Sequence, residues 1–333
     1  MKVTTKQTDF DVWFYETFLE ETADLKRMLP PHIRAGFTQK TIQESGDKVP
    51  RAPILSVRSQ SIIPIHWAEK LSGILSRSTG YDHLERYVRD TGKPIPCGYL
   101  PFYCNRAVAE QAMLLWMALL RKLPQQTYAF GTFYRNNLTG NETAGKTLFV
   151  VGVGNIGSEI VKIGVGLGMN VLGVDLVEKH SFVNYTTFEN GIGKADIIVC
   201  AMNLTSENAG YFNYNRLLKA KKGAIFINIS RGEISPSTDL LKLIDEDRLG
   251  GVGLDVYNHE SELAESLRTR RESDFPEVRS TLLLSQKANV ILTPHNAFNT
   301  TEAVARKAEQ SVLQIDHFLQ TGNFLWNAPV VQR

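Results

Sequence analysis

From Lys146 onward, short apolar runs alternate with amphipathic stretches. The runs are 147–151, 170–175, 196–201, 224–230, 251–257 and 290–293. Most are apolar throughout, which predicts strands buried on both faces of a parallel sheet. The intervening stretches read as helices, among them 236–249 and 157–167, with Ile156, Ile160, Ile163 and Leu167 on one face. Such alternation predicts a doubly wound α/β domain. A last helix, 301–319, sets Val304, Ala308, Val312, Ile315 and Leu319 on one stripe.

The first hundred residues mix short strands (52–57 and 71–76) with helix-like stretches, and Thr79-Gly80 punctuates the second strand. Pro94, Pro96 and Pro101 exclude a helix across that segment. A helix is then expected over 106–123. Its stretch 107–120 is apolar nearly all round, broken only by Glu110 and Gln111. That pattern calls for cover on both faces, either between two domains or in a dimer interface. A nucleotide-binding domain is placed at 105–298, and a second domain is assembled from 1–104 and 299–333. A cleft between two such domains is the default place for a ligand.

Composition narrows the partners. In 333 residues, 37 Lys and Arg face 35 Asp and Glu. A net charge of +2 argues against nucleic acid or an anionic membrane as the main partner. The basic cluster 268–271 has acidic neighbours (Glu262, Glu265, Glu272, Asp274) and reads as a solvated helix surface. Cys97, Cys104 and Cys200 form no disulfide framework and no C-x-x-C pair, and no metal site is expected. The N-terminal segment lacks the apolar core of a signal peptide, and the apolar run 112–120 is too short to cross a bilayer. A cytoplasmic protein is expected.

Gly152-Val-Gly154-Asn-Ile-Gly157 follows one predicted strand and opens a helix. The first glycine permits the tight turn, the second the approach of a pyrophosphate, the third close helix–strand packing. The diphosphate would rest on the helix N-terminus. Asp175 stands 18 positions beyond Gly157 (175 − 157), where an acid accepts from the adenosine ribose hydroxyls. Its charge would repel a 2′-phosphate, so NAD is expected over NADP. Gly164 and Gly166 interrupt the following helix, and close packing against the sheet is the expected reason.

Past the later strands stand Arg231, Asp255, Glu260 and His295. Ligands of a doubly wound sheet bind at the carboxyl ends of strands. A 2-keto acid needs a cation for its carboxylate, which an Arg fork matches. Its carbonyl oxygen gains charge as hydride arrives and needs a proton donor, which His supplies near neutral pH. A carboxylate such as Glu260 orients the imidazole and stabilises its charged form. His259 is a rival for either role. Taken singly, each of these residues has a bland reading as a surface or structural group; their joint placement downstream of the glycine fingerprint favours chemistry.

The chain resembles the D-isomer-specific 2-hydroxyacid dehydrogenases, nearest their D-lactate dehydrogenase branch. The resemblance rests on RSTGYD at 77–82, PFYCN at 101–105 with AVAE at 107–110, GKT at 145–147, the glycine fingerprint, and the segments 228–232, 253–257 and 293–298. It implies two doubly wound parallel-sheet domains, a Rossmann NAD-binding domain inserted in a flavodoxin-like substrate (catalytic) domain, in a homodimer whose domains close on the substrate. It assigns Arg231 to the substrate carboxylate and carbonyl, His295 to acid/base work, and Glu260 to His295. Ser78, Thr79 and Gly80 would offer backbone N–H groups to the carboxylate, and Tyr103 and Phe298 would line a small keto-acid pocket. Gly152, Gly154, Asn155, Ile156, Gly157 and Asp175 would hold NAD, with Met202, Asn203, Asn208, Ile229, Ser230, Arg231 and Asp255 around it. The activity implied is reduction of pyruvate to D-lactate with NADH. Hydroxypyruvate, glyoxylate or phenylpyruvate are alternative substrates, and an NAD-sensing corepressor-like binding protein is a third reading. Two features depart from the family. Asn203 stands where a proline is usual, which is expected to loosen that loop. The charged stretch 260–281 reads as either a mobile flap or an oligomer contact.

Overall fold

The computed structural model describes residues 9–329, so the first eight residues of the N-terminal segment discussed above lie outside it. The chain divides into two compact units, Met1–Cys104 with Asn299–Arg333, and Asn105–Phe298.

The first unit is built on five short strands: β1 (Val12–Phe14), β2 (Ala35–Phe37), β3 (Ile54–Val57), β4 (Gly73–Ser76) and β5 (Cys97–Gly98). All pair in parallel, in the order β2-β1-β3-β4-β5, the flavodoxin-like arrangement. Every residue of β3 and β4 is buried, as in a parallel strand covered on both faces. Three helices lie between the strands: α1 (Leu19–Met28), α2 (Ile42–Ser45) and α3 (Asp82–Thr91). A reciprocal capping box between Thr41 and Glu44 starts α2. The C-terminal helix (Thr301–Thr321) starts at Thr300, whose side chain accepts from the Ala303 N–H, and stops at Gly322 in the left-handed region. Its buried stripe includes Val304, Ala308, Val312 and Ile315, and it packs on α1 and β4.

The second unit carries β6 (Thr147–Val151), β7 (Asn170–Val174), β8 (Ile197–Cys200), β9 (Ala224–Asn228), β10 (Leu249–Leu254) and β11 (Val290–Leu292). The sheet is parallel throughout, ordered β11-β10-β9-β8-β6-β7. Beyond β7, Tyr185 adds a single parallel bridge to Gly173. The chain moves from β6 to β7 on one side, then crosses to β8 on the other. The loops leaving β6 and β8 therefore diverge at a topological switch point, where such sheets open a crevice.

The helices of this unit are α4 (Asn105–Leu120), α5 (Leu123–Ala129), α6 (Asn155–Gly166), α7 (Phe188–Ile192), α8 (Tyr214–Leu217), α9 (Ser237–Asp245), α10 (Glu260–Thr269) and α11 (Pro276–Leu284). The apolar α4 packs on α6, β9 and β10. Glycines let it come close: a Cβ at Gly253 would lie 3.1 Å from Leu115 Cβ, and one at Gly251 3.2 Å from Leu119 Cδ2. The helix expected over 236–249 ends at Asp245, because Asp247 turns the chain at φ 52° into β10. A Cβ at Gly164 would strike Leu148 Cδ2 at 2.5 Å, so close packing explains that glycine; a Cβ at Gly166 meets nothing, and packing does not explain it. The charged stretch after Glu260 folds as α10 and α11. Glu277 of α11 accepts from Ser237 N at 2.5 Å and Thr238 Oγ1 at 2.7 Å, capping α9. Among the described residues no helix is long and apolar enough to cross a membrane, and no group of three His, Cys, Asp or Glu side chains could hold a metal.

Candidate active site

The glycine loop leaves the fully buried end of β6. Gly152 has φ +92°, and a Cβ there would lie 2.6 Å from Met202 N. A Cβ at Gly157 would sit 2.0 Å from Gly152 O, so helix α6 can begin this close to the strand only with glycine. Gly154 differs: a Cβ there would meet nothing within 4 Å, which leaves its backbone open to a ligand. Gly154 is the N-cap of α6 and, as a glycine, brings no side chain of its own to cap the helix. Asp175, just past β7, accepts from Val153 N at 2.6 Å and Val177 N at 3.3 Å, which pins its carboxylate beside the loop. An open backbone, a glycine at the helix N-cap and a fixed carboxylate fit the diphosphate and ribose of a dinucleotide.

Across the switch point, the 201–208 loop leaves β8. Met202 O accepts from the Ser230 hydroxyl. The Asn208 carboxamide donates to Asn203 O at 2.7 Å and accepts from Thr205 N at 2.8 Å. The loop that Asn203 was expected to loosen is thus laced by a side chain expected to face the cofactor.

Arg231 follows β9 on a turn clamped by Asn228. The fully buried Asn228 carboxamide accepts from Ser230 N at 3.0 Å and donates to Arg231 O at 2.9 Å and Ser235 Oγ at 2.7 Å. The Arg231 guanidinium donates to Ser230 O at 2.9 Å. Ile229 is buried beneath the turn. The next residue decides what the turn rests on: a Cβ at Gly232 would lie 1.9 Å from Tyr257 C and 2.1 Å from Asn258 N. The Arg231 turn is therefore seated on the segment that leads into Glu260.

Glu260 opens α10, and both of its oxygens face His295 Nδ1, at 2.8 and 2.9 Å. A carboxylate only accepts, so Nδ1 carries the proton, and Nε2 is the nitrogen left for a substrate. His295 sits at φ +50°, an unusual conformation for a side-chain-bearing residue. Asp255 holds it there. Its buried carboxylate accepts from Thr293 Oγ1 at 2.6 Å and from Asn296 N and Ala297 N at 2.9 Å each. Burial raises the Asp255 pKa, while those three donors favour the ionised form. The Tyr257 hydroxyl adds a bond to Thr293 O at 2.6 Å. Asp255, expected beside the cofactor, has both oxygens engaged by the His295 loop. The rival His259 packs its ring at a tilt against Phe275, with centroids 4.2 Å apart.

In the first unit, the segment 78–80 follows β4. Leu100 N donates to Ser78 O at 3.1 Å, and Thr79 Oγ1 donates to Leu100 O at 3.2 Å. Among the described residues no protein acceptor faces the backbone N–H groups of Ser78, Thr79 and Gly80. Successive free N–H groups make a concavity that suits a carboxylate. Tyr103 and Phe298, in different units, are both buried. Asn228 and Tyr257 were missed as site residues. Their signal was a polar residue at the end of an apolar strand, followed closely by Arg231 or Glu260.

Residues 113–297 match the family described as D-isomer specific 2-hydroxyacid dehydrogenase, NAD binding domain. A D-lactate dehydrogenase of Streptococcus agalactiae is 29% identical over 278 residues, 79% of this chain and 80% of the relative. One from Lactiplantibacillus plantarum is 26% identical over 325 residues, 93% of each chain. Among solved structures, D-lactate dehydrogenase of Aquifex aeolicus complexed with NAD and lactic acid superposes with a TM-score of 0.82 at 25% identity, over 95% of this chain and 99% of that one.

Proposed function

Because the chain belongs to the D-isomer specific 2-hydroxyacid dehydrogenases, NAD-dependent oxidoreductases, we propose that it reduces pyruvate to D-lactate. The observation that carries the reading is the His295–Glu260 pair, set on successive loops at the carboxyl end of the sheet. Gly152, Gly154, Asn155, Ile156 and Gly157 would hold the diphosphate and Asp175 the ribose; the 202–208 loop, Ile229 and Ser230 would lie around the rest of the cofactor. When bound, NADH supplies the hydride. His295 Nε2 gives its proton to the carbonyl oxygen, and Glu260 stabilises the imidazolium from the Nδ1 side. Arg231 presents its fork to the carboxylate and carbonyl. The N–H groups of Ser78, Thr79 and Gly80 bind the carboxylate, and Tyr103 and Phe298 limit the size of the substrate side chain.

The reading includes a cytoplasmic homodimer. Three buried, unpaired thiols suit a reducing compartment. On α5 and just past it, Tyr128, Phe130, Phe133 and Tyr134 expose their rings, and a second copy of the chain would cover them. Sedimentation should find twice the monomer mass, and a monomer at micromolar concentration removes that part.

The central test is a panel of 2-keto acids, followed by NADH absorbance with chiral analysis of the product. Pyruvate should give the highest kcat/KM and D-lactate. Preference for hydroxypyruvate, glyoxylate or phenylpyruvate replaces the substrate. Tight NADH binding with no reduction of any keto acid points instead to a dinucleotide-gated binding protein.

A further inference from the structure

A chain of polar side chains lies behind the 78–80 segment. Ser76, fully buried at the end of β4, has Oγ 2.6 Å from Ser78 Oγ and 2.9 Å from His83 Nε2. His83 is the second residue of α3. The Ser78 hydroxyl lies 2.7 Å from Gly80 O. The direction of every bond follows from this last contact. A carbonyl only accepts, so the Ser78 hydroxyl donates to Gly80 O. Its one proton is then committed, and the Ser76 hydroxyl must donate to Ser78 Oγ. Ser76 has no second proton for the imidazole, so His83 Nε2 carries one and donates to Ser76 Oγ. The relay runs one way, from His83 through Ser76 and Ser78 to Gly80.

Its end point gives it a use. The Gly80 carbonyl belongs to the same short segment whose N–H groups meet no protein acceptor among the described residues. Held by Ser78, that carbonyl cannot swing toward an incoming carboxylate, where its negative end would repel it. We propose that His83 and Ser76 are positioning residues that keep the 78–80 segment in its anion-receiving conformation. The inference rests on the reading that this segment receives the substrate carboxylate. Because Nε2 donates from both the neutral Nε2–H tautomer and the imidazolium, the relay keeps its direction in either state.

Neither residue touches substrate in this scheme, so the effect belongs in KM for the keto acid and not in kcat. His83→Gln keeps an N–H donor near the place of Nε2, whereas the near-isosteric His83→Glu offers only acceptors. His83→Gln should leave KM within about threefold of wild type, while His83→Glu, which puts two unshared lone pairs face to face, should raise it roughly tenfold or more. Ser76→Ala should raise KM about fivefold by removing one link. With Ser76→Ala in place, the Gln and Glu variants should converge. If they still differ, charge at position 83 sets KM and the proposal falls. It falls equally if Gln and Glu match in the presence of Ser76, or if the losses appear in kcat alone. The relay is also legible without turnover, by NMR of wild-type chain carrying ¹⁵N-labelled histidine. His83 should be protonated at Nε2; a proton on Nδ1 alone overturns the relay whatever the chain reduces. A wild type that reduces no 2-keto acid, with His83 protonated at Nε2, sinks the substrate reading instead, so the two failures are told apart.

Discussion

In the proposed reaction the two ring nitrogens of His295 have separate work, and Glu260, bonded to Nδ1, sets the difference. Both carboxylate oxygens lie within 2.9 Å of Nδ1, so the imidazole cannot rotate without losing a charge-assisted bond. The pair is only about three-quarters buried, at 24% and 25% side-chain exposure, which leaves one edge of the ring accessible. Glu260→Gln tests the electrostatic part alone. The amide oxygen can still accept from Nδ1–H, so orientation survives, but the imidazolium formed or consumed in turnover loses its counter-charge. The expected result is a fall in kcat of roughly 10- to 100-fold, in the range of a positioned acid–base group weakened but not removed. NADH affinity should stay unchanged in a fluorescence titration. A variant with wild-type kcat would show that Glu260 does no more than fill space.

The loops that carry these side chains are positioned by elements, and Gly232 is where two of them meet. A Cβ at that position would collide with backbone atoms of Tyr257 and Asn258, which cannot rotate aside as a side chain does. Gly232→Ala must therefore push the Arg231 turn away from the approach to α10. Overpacking of this kind costs about 1–3 kcal/mol of stability, read as a lowered Tm. A misplacement near 1 Å in the site should lower kcat/KM by about 100-fold, far more than the loss of folded protein explains. Elements of this sort were unevenly legible in the sequence. Strands β6, β8, β9 and β10 of the second unit stood out because burial on both faces makes them nearly continuous apolar runs, and the half-buried edge strands β7 and β11 are short apolar runs of the same kind. Strands β1, β2 and β5 have two or three residues each, too few to show a period, and α7 and α8 are no longer than five. Helices α10 and α11 hid inside a charged stretch because Leu263 and Val278 bury only one narrow face of each. Arg231, Glu260 and His295 could be proposed from residue type and place in the strand order. The Asn228 clamp, the grip of Asp255 on the His295 loop and the Ser76–His83 relay could not, because each depends on partners that only tertiary packing brings together.

The first unit as a whole is pinned by a buried ion cluster, and its charge is unbalanced. Glu21 of α1 accepts from Arg77 Nε at 2.9 Å and lies 2.8 Å from Lys307 Nζ on the C-terminal helix, with all three side chains almost wholly buried. Arg77 further donates to Ser56 Oγ at 3.1 Å and Tyr15 O at 2.5 Å, tying α1 to the sheet. Burial alone would raise the Glu21 pKa, but the charges of Arg77 and Lys307 outweigh it and hold the carboxyl at about 2, below the ordinary 4.5. Burial pushes Lys307 the other way, from 10.5 to about 7, with Glu21 opposing and Arg58 and Arg77 assisting. The two groups therefore act in different windows. Glu21 contributes stability in full above pH 4.5, about 3 kcal/mol, which is lost as pH falls toward 2, where the folded chain too takes up the proton. Between about pH 7 and 10.5 the unfolded chain holds the Lys307 proton and the folded chain does not, so this residue makes stability rise with pH. One carboxylate thus serves two cations. Glu21→Gln strands a buried guanidinium and should cost about 3–5 kcal/mol. Lys307→Met removes the surplus charge at similar volume and should raise stability at pH 7 by about 1–4 kcal/mol. Urea titrations of wild type and Lys307→Met across pH 6–10 separate this from other titrating groups, because those cancel in the difference. The gap should be widest near neutrality and close toward pH 10. A gap that is constant with pH would mean that Lys307 is no more burdened by its charge in the folded chain than in the unfolded one.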